Sequence, residues 1–559
     1  MKKLSVFTLQ QFAAIVFAST FFFAAAARAE RRPILTSHVP ESVSSGVAPL
    51  VGHLPSEQRL SLAISLPLRN QTELDDLLQQ IYDPQSSNYH KYLSVQEFAA
   101  RFGPSESDYA AALSFAHANG LAVVDTAANR MVLDVEGPAA SIESAFHVTL
   151  GVYQHPTEAR TFYAPDREPT VDLDAPVLHI SGLDNYSLPH AKNIRASLDN
   201  SQPRSQDAAG KTTGSGPGGD FIGSDMRAAY YGSGPLNGKG QSVGLFELAG
   251  YEISDVKNYF SKVGQPLKVP VKGVSLNGVS LKCPPASCDD SEQALDIEMA
   301  ISMAPRLEQV VVYVGSNYVS IFNQMAVDNT SKQLSCSWGW SDDESQLDPI
   351  FKEMMAQGQS VFVATGDSGS STPGDVVWPA DDPYITAVGG TDLTTTGPGG
   401  AWKSETGWNG SAGSPSKNKI PIPPYQQLPG VITALNHGST TLRNYPDVAA
   451  EANTNQYSCY DGGCFEGNGG TSYAAPQWAG FTALANEEAV AKGLPTLGFL
   501  NPAIYAIGVG SSYDSDFHDI TSGSNGGYTA VSGYDLVTGW GSQQGTALID
   551  ALIQSEKPE

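Results

Sequence analysis

The feature that most limits the possible folds is an alternation of apolar runs with amphipathic stretches between residues 219 and 559. The apolar runs are SVGLFEL, VVVYVG, LSCSWG, SVFVATG and YITAVGG, and the stretches include SEQALDIEMAISMA, VSIFNQMAVDN, LDPIFKEMMAQG and AAPQWAGFTALANEEAVAKG. Short apolar runs predict buried strands, and apolar residues recurring every three or four positions predict helices. Strands that alternate with helices form a parallel sheet covered on both faces. The sequence therefore predicts an α/β domain over residues 219–559.

The chain before this domain has a different pattern. Residues 30–186 contain the helical runs TELDDLLQQIYD, VQEFAARF and ESDYAAALSFAHANG, with alternating strands near residues 131–135 and 147–152. This mixture predicts a small α+β domain. Residues 187–218 are polar and rich in Gly, Ser, Asn and Pro. Such composition predicts an exposed linker, the kind of segment that peptidases cut.

The first 29 residues predict secretion. They begin with two lysines after the methionine, continue with an apolar run, and end in the sequence ARA at residues 27–29. That order is typical of a cleaved signal peptide. A membrane anchor is the alternative, but two glutamines at residues 10 and 11 shorten the uninterrupted apolar run. We therefore expect a secreted protein without a membrane segment after removal of the signal.

The charge balance excludes one class of partner. The chain has 58 acidic and 32 basic residues, for a formal net charge of -26. A nucleic acid partner would require a basic face, so none is expected. An acidic chain suits an acidic medium, in which many carboxylates are neutral and repel each other less. Solubility alone explains the charge equally well.

The five cysteines fit an exported protein. Cys283 and Cys288 form one close pair, and Cys459 and Cys464 form another, both in loops rich in Gly or Pro. We expect two local disulfides and a buried thiol at Cys336. A metal site would need histidines or more cysteines at suitable spacing, and none is near these pairs in the sequence.

Ser472 is the first candidate for chemistry. It lies in the stretch GNGGTSYAAPQWAG, where a glycine-rich loop leads into an apolar helical run. The glycines allow a close approach of substrate, and a serine at a helix N-terminus lies in a positive potential. Pro476 is compatible with a first helical turn. A serine that only caps a helix would have the same sequence.

A nucleophilic serine requires a base. The large domain contains His437 and His518, both in polar loops that do not predict a meeting with Ser472. Glu292 and Asp296 are four residues apart on a predicted helix with apolar neighbours, so they share one face. Two adjacent carboxyls raise at least one pKa, and such a pair can act as a base in acid. A solvent-exposed helix face is the alternative interpretation.

Asp367 is the third candidate. It follows the buried strand predicted at VFVA, at the carboxyl end where α/β sheets place their sites. If it is protonated, it can donate a hydrogen bond to an oxyanion. It can instead bond to its own loop backbone.

Together these motifs resemble one family. GTSYAAP at residues 470–476, E-x-x-x-D at residues 292–296, SCSWG at residues 335–339 and GDSG at residues 366–369 are similar to the motifs of the sedolisin, or serine-carboxyl, peptidases, in that family's order. WPADDPYITAVGGT and YPDVAAEAN are also similar, and HKYLSVQEFAARFGP resembles the activation prodomain of the same peptidases. The resemblance covers nearly the whole chain after the signal.

The resemblance implies a subtilisin-like catalytic domain preceded by a prodomain. It implies Ser472 as nucleophile, Glu292 as general base, Asp296 as its partner and Asp367 as oxyanion donor. It also implies one structural Ca²⁺ near the C-terminus. Its ligands would be the carboxylates of Asp519 and Asp535 and the backbone carbonyls of Ile520, Val531 and Gly533, a set of oxygens that suits Ca²⁺. The family often has glycine where this chain has Val531.

We therefore expect a monomeric, secreted endopeptidase active in acid, with protein or peptide substrates and its own prodomain as intramolecular inhibitor. Three alternatives remain open. One is a neutral peptidase with a histidine base, and another is a binding protein without activity on the same scaffold. The third is a peptidase that removes tripeptides, which has the same chemistry.

Overall fold

The structure is a computed structural model that describes residues 31–195, 213–285, 287–341, 346–370 and 377–554. The predicted signal peptide at residues 1–29 lies outside these ranges, and so does the middle of the predicted linker, residues 196–212. Within the described ranges, no helix is both long enough and apolar enough to cross a bilayer.

The large domain is built on an eight-stranded sheet. Its strands are β1 (Ser242–Glu247), β2 (Val271–Ser275), β3 (Gln309–Val314), β4 (Gln333–Cys336), β5 (Ser360–Ala364), β6 (Thr386–Thr395), β7 (Trp402–Gly407) and β8 (Val448–Glu451). Their order is β2-β3-β1-β4-β5-β6, and β6 pairs with both β7 and β8. All neighbours are parallel except β6 and β7. This confirms the predicted parallel sheet.

Helices cover both faces of this sheet. Four of them are α1 (Ser291–Met303), α2 (Tyr318–Asp328), α3 (Asp348–Ala356) and α4 (Ala474–Ala491); others are Gly223–Tyr230, Ile253–Lys262, Asn501–Gly508, Tyr513–Asp516 and Gly545–Gln554. Helices α1 and α4 pack together on one face, and α2 and α3 pack together on the other. The carboxyl ends of β1, β4 and β5 lie side by side, so residues that follow these strands meet at one edge.

The N-terminal region has the predicted α+β fold. An antiparallel sheet has the strand order Ala122–Thr126, Val132–Pro138, Arg59–Ser65 and His179–Ser181. A second sheet joins Leu50–His53, Leu150–Gln154 and Thr161–Pro165. The main helices are Gln71–Ile81, Val95–Arg101, Glu106–Ala118 and Ala139–Phe146. Two apolar clusters belong to this region alone, whereas helices Gln71–Ile81 and Val95–Arg101 extend the core of the large domain.

Both predicted disulfides are present. Cys283 is bonded to Cys288 and Cys459 to Cys464, and Cys336 is a buried free thiol at the end of β4. Each bridge closes a short local loop, as the spacing of the pairs predicted.

Buried carboxyls lie where the N-terminal region docks on α2 and α3. Asp134 accepts a hydrogen bond from the Ser320 hydroxyl at 2.5 Å, and Glu353 accepts one from the Asn129 amide at 2.6 Å. Burial is the main cause that raises the pKa of Asp134 to about 6 and the pKa of Glu353 to about 8. Both groups are therefore protonated in acid when the two regions are docked.

These raised pKa values do not favour release of the N-terminal region in acid. The pKa of Glu353 rises from its ordinary 4.5 to about 8 in the folded chain. Protonation therefore stabilises the folded form most at pH values below the ordinary value, and this contribution is lost as pH rises through the folded value. The same holds for Asp134 over a lower pH range. Acid strengthens these two contacts rather than breaking them.

We predict that Glu353→Gln raises the thermal midpoint of the full-length chain at pH 8 by about 2 °C and leaves it unchanged at pH 4. Glutamine resembles the protonated side chain, so it removes the cost of keeping the buried group neutral. Calorimetry of Ser472→Ala chains, which are expected to stay intact, measures the effect. Glu57→Gln, at an exposed position, is the matched control. Equal shifts at both pH values would contradict the assignment.

Candidate active site

Ser472 lies buried in the turn that leads into α4, as predicted. Gly470 precedes it with φ +117, and a Cβ there would lie 2.5 Å from the Lys192 carbonyl oxygen and 2.6 Å from Asp367 Oδ2. Only glycine leaves room for these two oxygens. The loop therefore brings two other segments close to the serine.

Glu292 and Asp296 both lie on α1 and are buried, with 2% and 0% exposure. The structure therefore excludes the solvent-exposed helix face. The Ser337 hydroxyl donates to Asp296 Oδ1 at 2.8 Å. The hydroxyls of Ser472 and Ser337 lie near enough to Glu292 to lower its pKa, although neither Glu292 carboxyl oxygen has a hydrogen-bond partner among the described residues. In this conformation the Ser472 hydroxyl donates to the Ser337 carbonyl at 3.4 Å.

A third carboxyl belongs to the same cluster and is absent from the sequence prediction. Glu247 is the last residue of β1 and is completely buried. Its Oε2 accepts a hydrogen bond from the Trp338 indole at 3.0 Å, and its other side faces Asp296. The available signal was an acidic residue ending a run of apolar strand residues, where a charged side chain is rarely buried without a partner.

The electrostatics of the cluster favour bound protons. Burial first, and then the charge of Asp296, raises the pKa of Glu292 well above its usual range. Burial raises the pKa of Asp296 to about 8, and burial with the charges of Asp296 and Glu292 raises the pKa of Glu247. Carboxyls this close titrate as a group and share protons. The cluster can therefore accept and return a proton beside Ser472.

Asp367 follows β5 by a short turn and lies at the same edge of the sheet. Its Oδ1 accepts hydrogen bonds from the backbone N–H of Thr471 at 2.7 Å and from the Thr471 hydroxyl at 2.9 Å. Its Oδ2 lies beside Gly470, as does the Lys192 carbonyl oxygen. The structure thus brings Ser472, Glu292, Asp296 and Asp367 close together, and their catalytic roles stay predictions.

The large domain contains two histidines, His437 and His518. His518 stacks on Trp402 with ring centroids 4.0 Å apart, and burial lowers its pKa to about 4. His437 lies in a loop with φ +56. Neither ring appears among the hydrogen-bonding partners of Ser472 in the described part of the chain. The geometry gives no support to a histidine base.

The predicted calcium ligands lie in one loop region. Asp519 accepts hydrogen bonds from the Gly533 N–H at 3.2 Å and the Ser532 hydroxyl at 2.9 Å, and Asp535 accepts one from the Val531 N–H at 3.0 Å. Burial raises the pKa of Asp535 to about 7. The backbone carbonyls of Ile520, Val531 and Gly533 accept no backbone hydrogen bond among the described residues. Carboxylate and carbonyl oxygens are the donors that Ca²⁺ prefers. Asp535 Oδ1 already accepts hydrogen bonds from the N–H groups of Val537 and Thr538, and the Ca²⁺ site stays a prediction.

The predicted exposed linker is wrong for its first described part. Residues 190 and 191 pair with residues 339 and 338 in an antiparallel bridge, and the Lys192 side chain is buried, with 4% exposure. At the other end, Thr213 and Ser215 hydrogen-bond to Thr395 and Asp225 of the large domain. Polar composition did not reveal these contacts, because backbone atoms pair residues 190 and 191 and polar side chains take part in the bonds of Thr213 and Ser215.

Comparisons with known proteins agree with this geometry. Residues 48–186 match the model described as "Pro-kumamolisin, activation domain", and residues 277–530 match the "Subtilase family". Kumamolisin from Bacillus sp. (strain MN-32) is 30% identical over 94% of this chain and 97% of that protein. Sedolisin from Pseudomonas sp. (strain 101) is 26% identical over 91% of this chain and 89% of that protein.

The fold is also similar to that of a solved structure. Pseudomonas sedolisin, described as a serine-carboxyl proteinase complexed with two molecules of pseudo-iodotyrostatin, superposes with a TM-score of 0.50 at 26% identity. It covers 62% of this chain and 100% of that chain. Fold and similarity together define a serine peptidase with a subtilisin-like domain. More narrowly, the chain belongs to the sedolisin family of serine-carboxyl peptidases and carries that family's activation prodomain.

We predict that Gly470→Ala lowers the thermal midpoint and slows peptide hydrolysis ~10-fold or more, because the added methyl displaces Asp367 or Lys192. Gly278→Ala is the matched control, since Gly278 also has positive φ (+72) but has nothing within 4 Å of its added Cβ. Calorimetry and a peptide assay compare the two variants. Equal thermal midpoints and equal hydrolysis rates in the two variants would show that the close approach at Gly470 affects neither stability nor activity.

Proposed function

We propose that this chain is a secreted, acid-active endopeptidase that is made as a zymogen and processes itself. It hydrolyses peptide bonds through Ser472, Glu292 and Asp296, with Asp367 as oxyanion donor. The observation that carries the proposal is the buried carboxyl cluster beside Ser472, in a site with no imidazole among its described hydrogen-bonding partners.

In the proposed first step, Ser472 Oγ adds to the substrate carbonyl carbon and its proton passes to Glu292. Asp296 orients Glu292 and shares the proton, while Glu247 and Ser337 hold Asp296 in place. The backbone N–H of Ser472 and protonated Asp367 stabilise the oxyanion. Glu292 then returns the proton to the leaving amine, and water hydrolyses the acyl-enzyme by the reverse route.

Glu292 must lose its proton to act as a base. Burial is the main cause of its raised pKa in this structure, and the Lys192 carbonyl is hydrogen-bonded to the backbone N–H of the neighbouring Ser472. Departure of residues 190–194 admits water and lowers the pKa of Glu292 toward the acidic range. The open enzyme is therefore expected to work in acid.

The path of residues 190–194 supports endopeptidase action. The chain enters on one side of Ser472 by pairing with residues 338 and 339 and leaves on the other side by pairing with Gly469. A cleft that holds a continuous chain on both sides of the nucleophile suits internal bonds. Tripeptide removal is the second candidate, since similar proteins include tripeptidyl-peptidase sed1 of Aspergillus fumigatus, at 26% identity over 89% of this chain and 93% of that protein.

We also propose a structural Ca²⁺ held by Asp519, Asp535 and the carbonyls of Ile520, Val531 and Gly533. The ion would neutralise two carboxylates that otherwise lie within one loop region, and would hold the C-terminal loop. Secretion is supported by the signal-like N-terminus and by the two disulfides, which persist in oxidising compartments.

We predict that Ser472→Ala, Glu292→Gln and Asp296→Asn each reduce casein hydrolysis at about pH 4 by ~10³-fold or more, because the three residues act as one unit. His437→Ala is the control and keeps activity within about twofold. Circular dichroism verifies that each variant folds. Full activity of Ser472→Ala, or its loss in His437→Ala, would contradict the proposed site.

We predict that a Ca²⁺ chelator lowers the thermal midpoint of the Ser472→Ala chain, and that added Ca²⁺ restores it by mass action. Asp535→Asn should lower the midpoint and abolish the response to Ca²⁺. Asp514→Asn, on the neighbouring helix Tyr513–Asp516, is the control that keeps the response. A Ca²⁺ response unchanged in Asp535→Asn would rule out this ligand set.

A further inference from the structure

Residues 190–194, which we call the linker strand, are bound like an added β-strand. The strand pairs antiparallel with residues 338 and 339 on one side of Ser472. The Lys192 N–H donates to the Ser337 carbonyl at 2.9 Å. On the other side, Ile194 and Gly469 exchange backbone hydrogen bonds of 2.7 and 2.9 Å. Backbone pairing on both sides of a nucleophile holds an extended peptide in one register.

This register places a single carbonyl at the nucleophile. The backbone N–H of Ser472 donates to the Lys192 carbonyl oxygen at 2.9 Å. The Ser472 hydroxyl and the Lys192 N–H share the Ser337 carbonyl as acceptor, so the hydroxyl lies beside the Lys192 backbone. Asp367 Oδ2 lies on the same side of Gly470 as the Lys192 oxygen. The Lys192 carbonyl thus faces the groups that would stabilise an oxyanion.

The Lys192 side chain is enclosed, unlike its basic neighbour. Lys192 is 4% exposed and runs along Gly366, where an added Cβ would lie 3.4 Å from Nζ and 3.7 Å from Cδ. Arg195 instead has a half-exposed side chain that pairs with Asp289 at 2.5 Å. The cleft therefore accepts one long unbranched basic side chain, at the residue whose carbonyl meets Ser472.

We propose that Lys192–Asn193 is the bond that the chain cuts in itself, and that the mature enzyme prefers lysine before the bond it cleaves. This proposal rests on the proposed peptidase function. Ser472 Oγ adds to the Lys192 carbonyl carbon while its proton passes to Glu292. The C–N bond to Asn193 then breaks and the new amine takes that proton. Water hydrolyses the ester, giving the Lys192 carboxylate and free Ser472.

The first test is processing of the full-length chain at about pH 4, followed by intact mass and N-terminal sequencing at early times. The earliest new N-terminus should be Asn193-Ile194-Arg195. Lys192→Glu should slow this cut ~10-fold or more, because a buried pocket that fits lysine leaves a carboxylate unpaired. Lys192→Arg should be cut at nearly the wild-type rate, because it keeps a long basic side chain. Arg195→Glu is the matched control and should also be cut at the wild-type rate. An earliest N-terminus elsewhere would overturn the proposal.

The second test uses the mature enzyme on the peptide SLPHAKNIRASL, residues 187–198, and on the same peptide with glutamate for lysine. Mass spectrometry should show the products SLPHAK and NIRASL from the native peptide. The peptide with glutamate should be cleaved at least ~10-fold more slowly. Equal cleavage of both peptides while casein is digested would refute the lysine preference and leave the peptidase function intact. No digestion of casein by the wild type would refute the function itself.

Discussion

Three carboxyl groups, of Glu247, Glu292 and Asp296, lie side by side inside the large domain with almost no access to water. An arrangement of this kind is costly unless protons are shared, because isolated buried charges lose their hydration. Ser337 and Trp338, which follow β4, offset part of this cost by donating hydrogen bonds to Asp296 and Glu247. Glu247 reaches the carboxyl edge of the sheet at the end of β1, and Ser337 and Trp338 reach it after β4, whereas helix α1 supplies Glu292 and Asp296.

The same edge of the sheet also explains the closed state. The linker strand forms its hydrogen bonds with residues 337–339 and with Gly469, which are the segments that hold the cluster and the serine. In the proposed function, inhibition and catalysis use one surface. The docked carboxyls Asp134 and Glu353 hold protons most readily in acid, so these contacts do not loosen on acidification. Cleavage of the chain is the step that can release the prodomain irreversibly.

Most strands of the large sheet and most residues of the candidate site could be predicted from the sequence. The apolar runs were long enough to predict β1, β3, β4, β5 and β6, but β2 escaped because Val271–Ser275 is only partly buried and has no apolar run. Glu292 and Asp296 were predictable because helical spacing puts them on one face. The place of Glu247 in the cluster and the burial of Lys192 in the cleft could not be predicted. Both depend on contacts between segments that are far apart in the sequence.

The central claim is that a carboxyl cluster, and not an imidazole, serves as the base for Ser472. Its most direct test is the pH dependence of kcat/KM on one peptide, measured for the mature enzyme and for Asp296→Asn. For the wild type we expect a maximum of kcat/KM below about pH 5 and a fall toward neutrality, and for Asp296→Asn a rising limb with a shifted midpoint. A profile that rises through about pH 6.5 to a neutral plateau, with the same midpoint in Asp296→Asn, would contradict this claim.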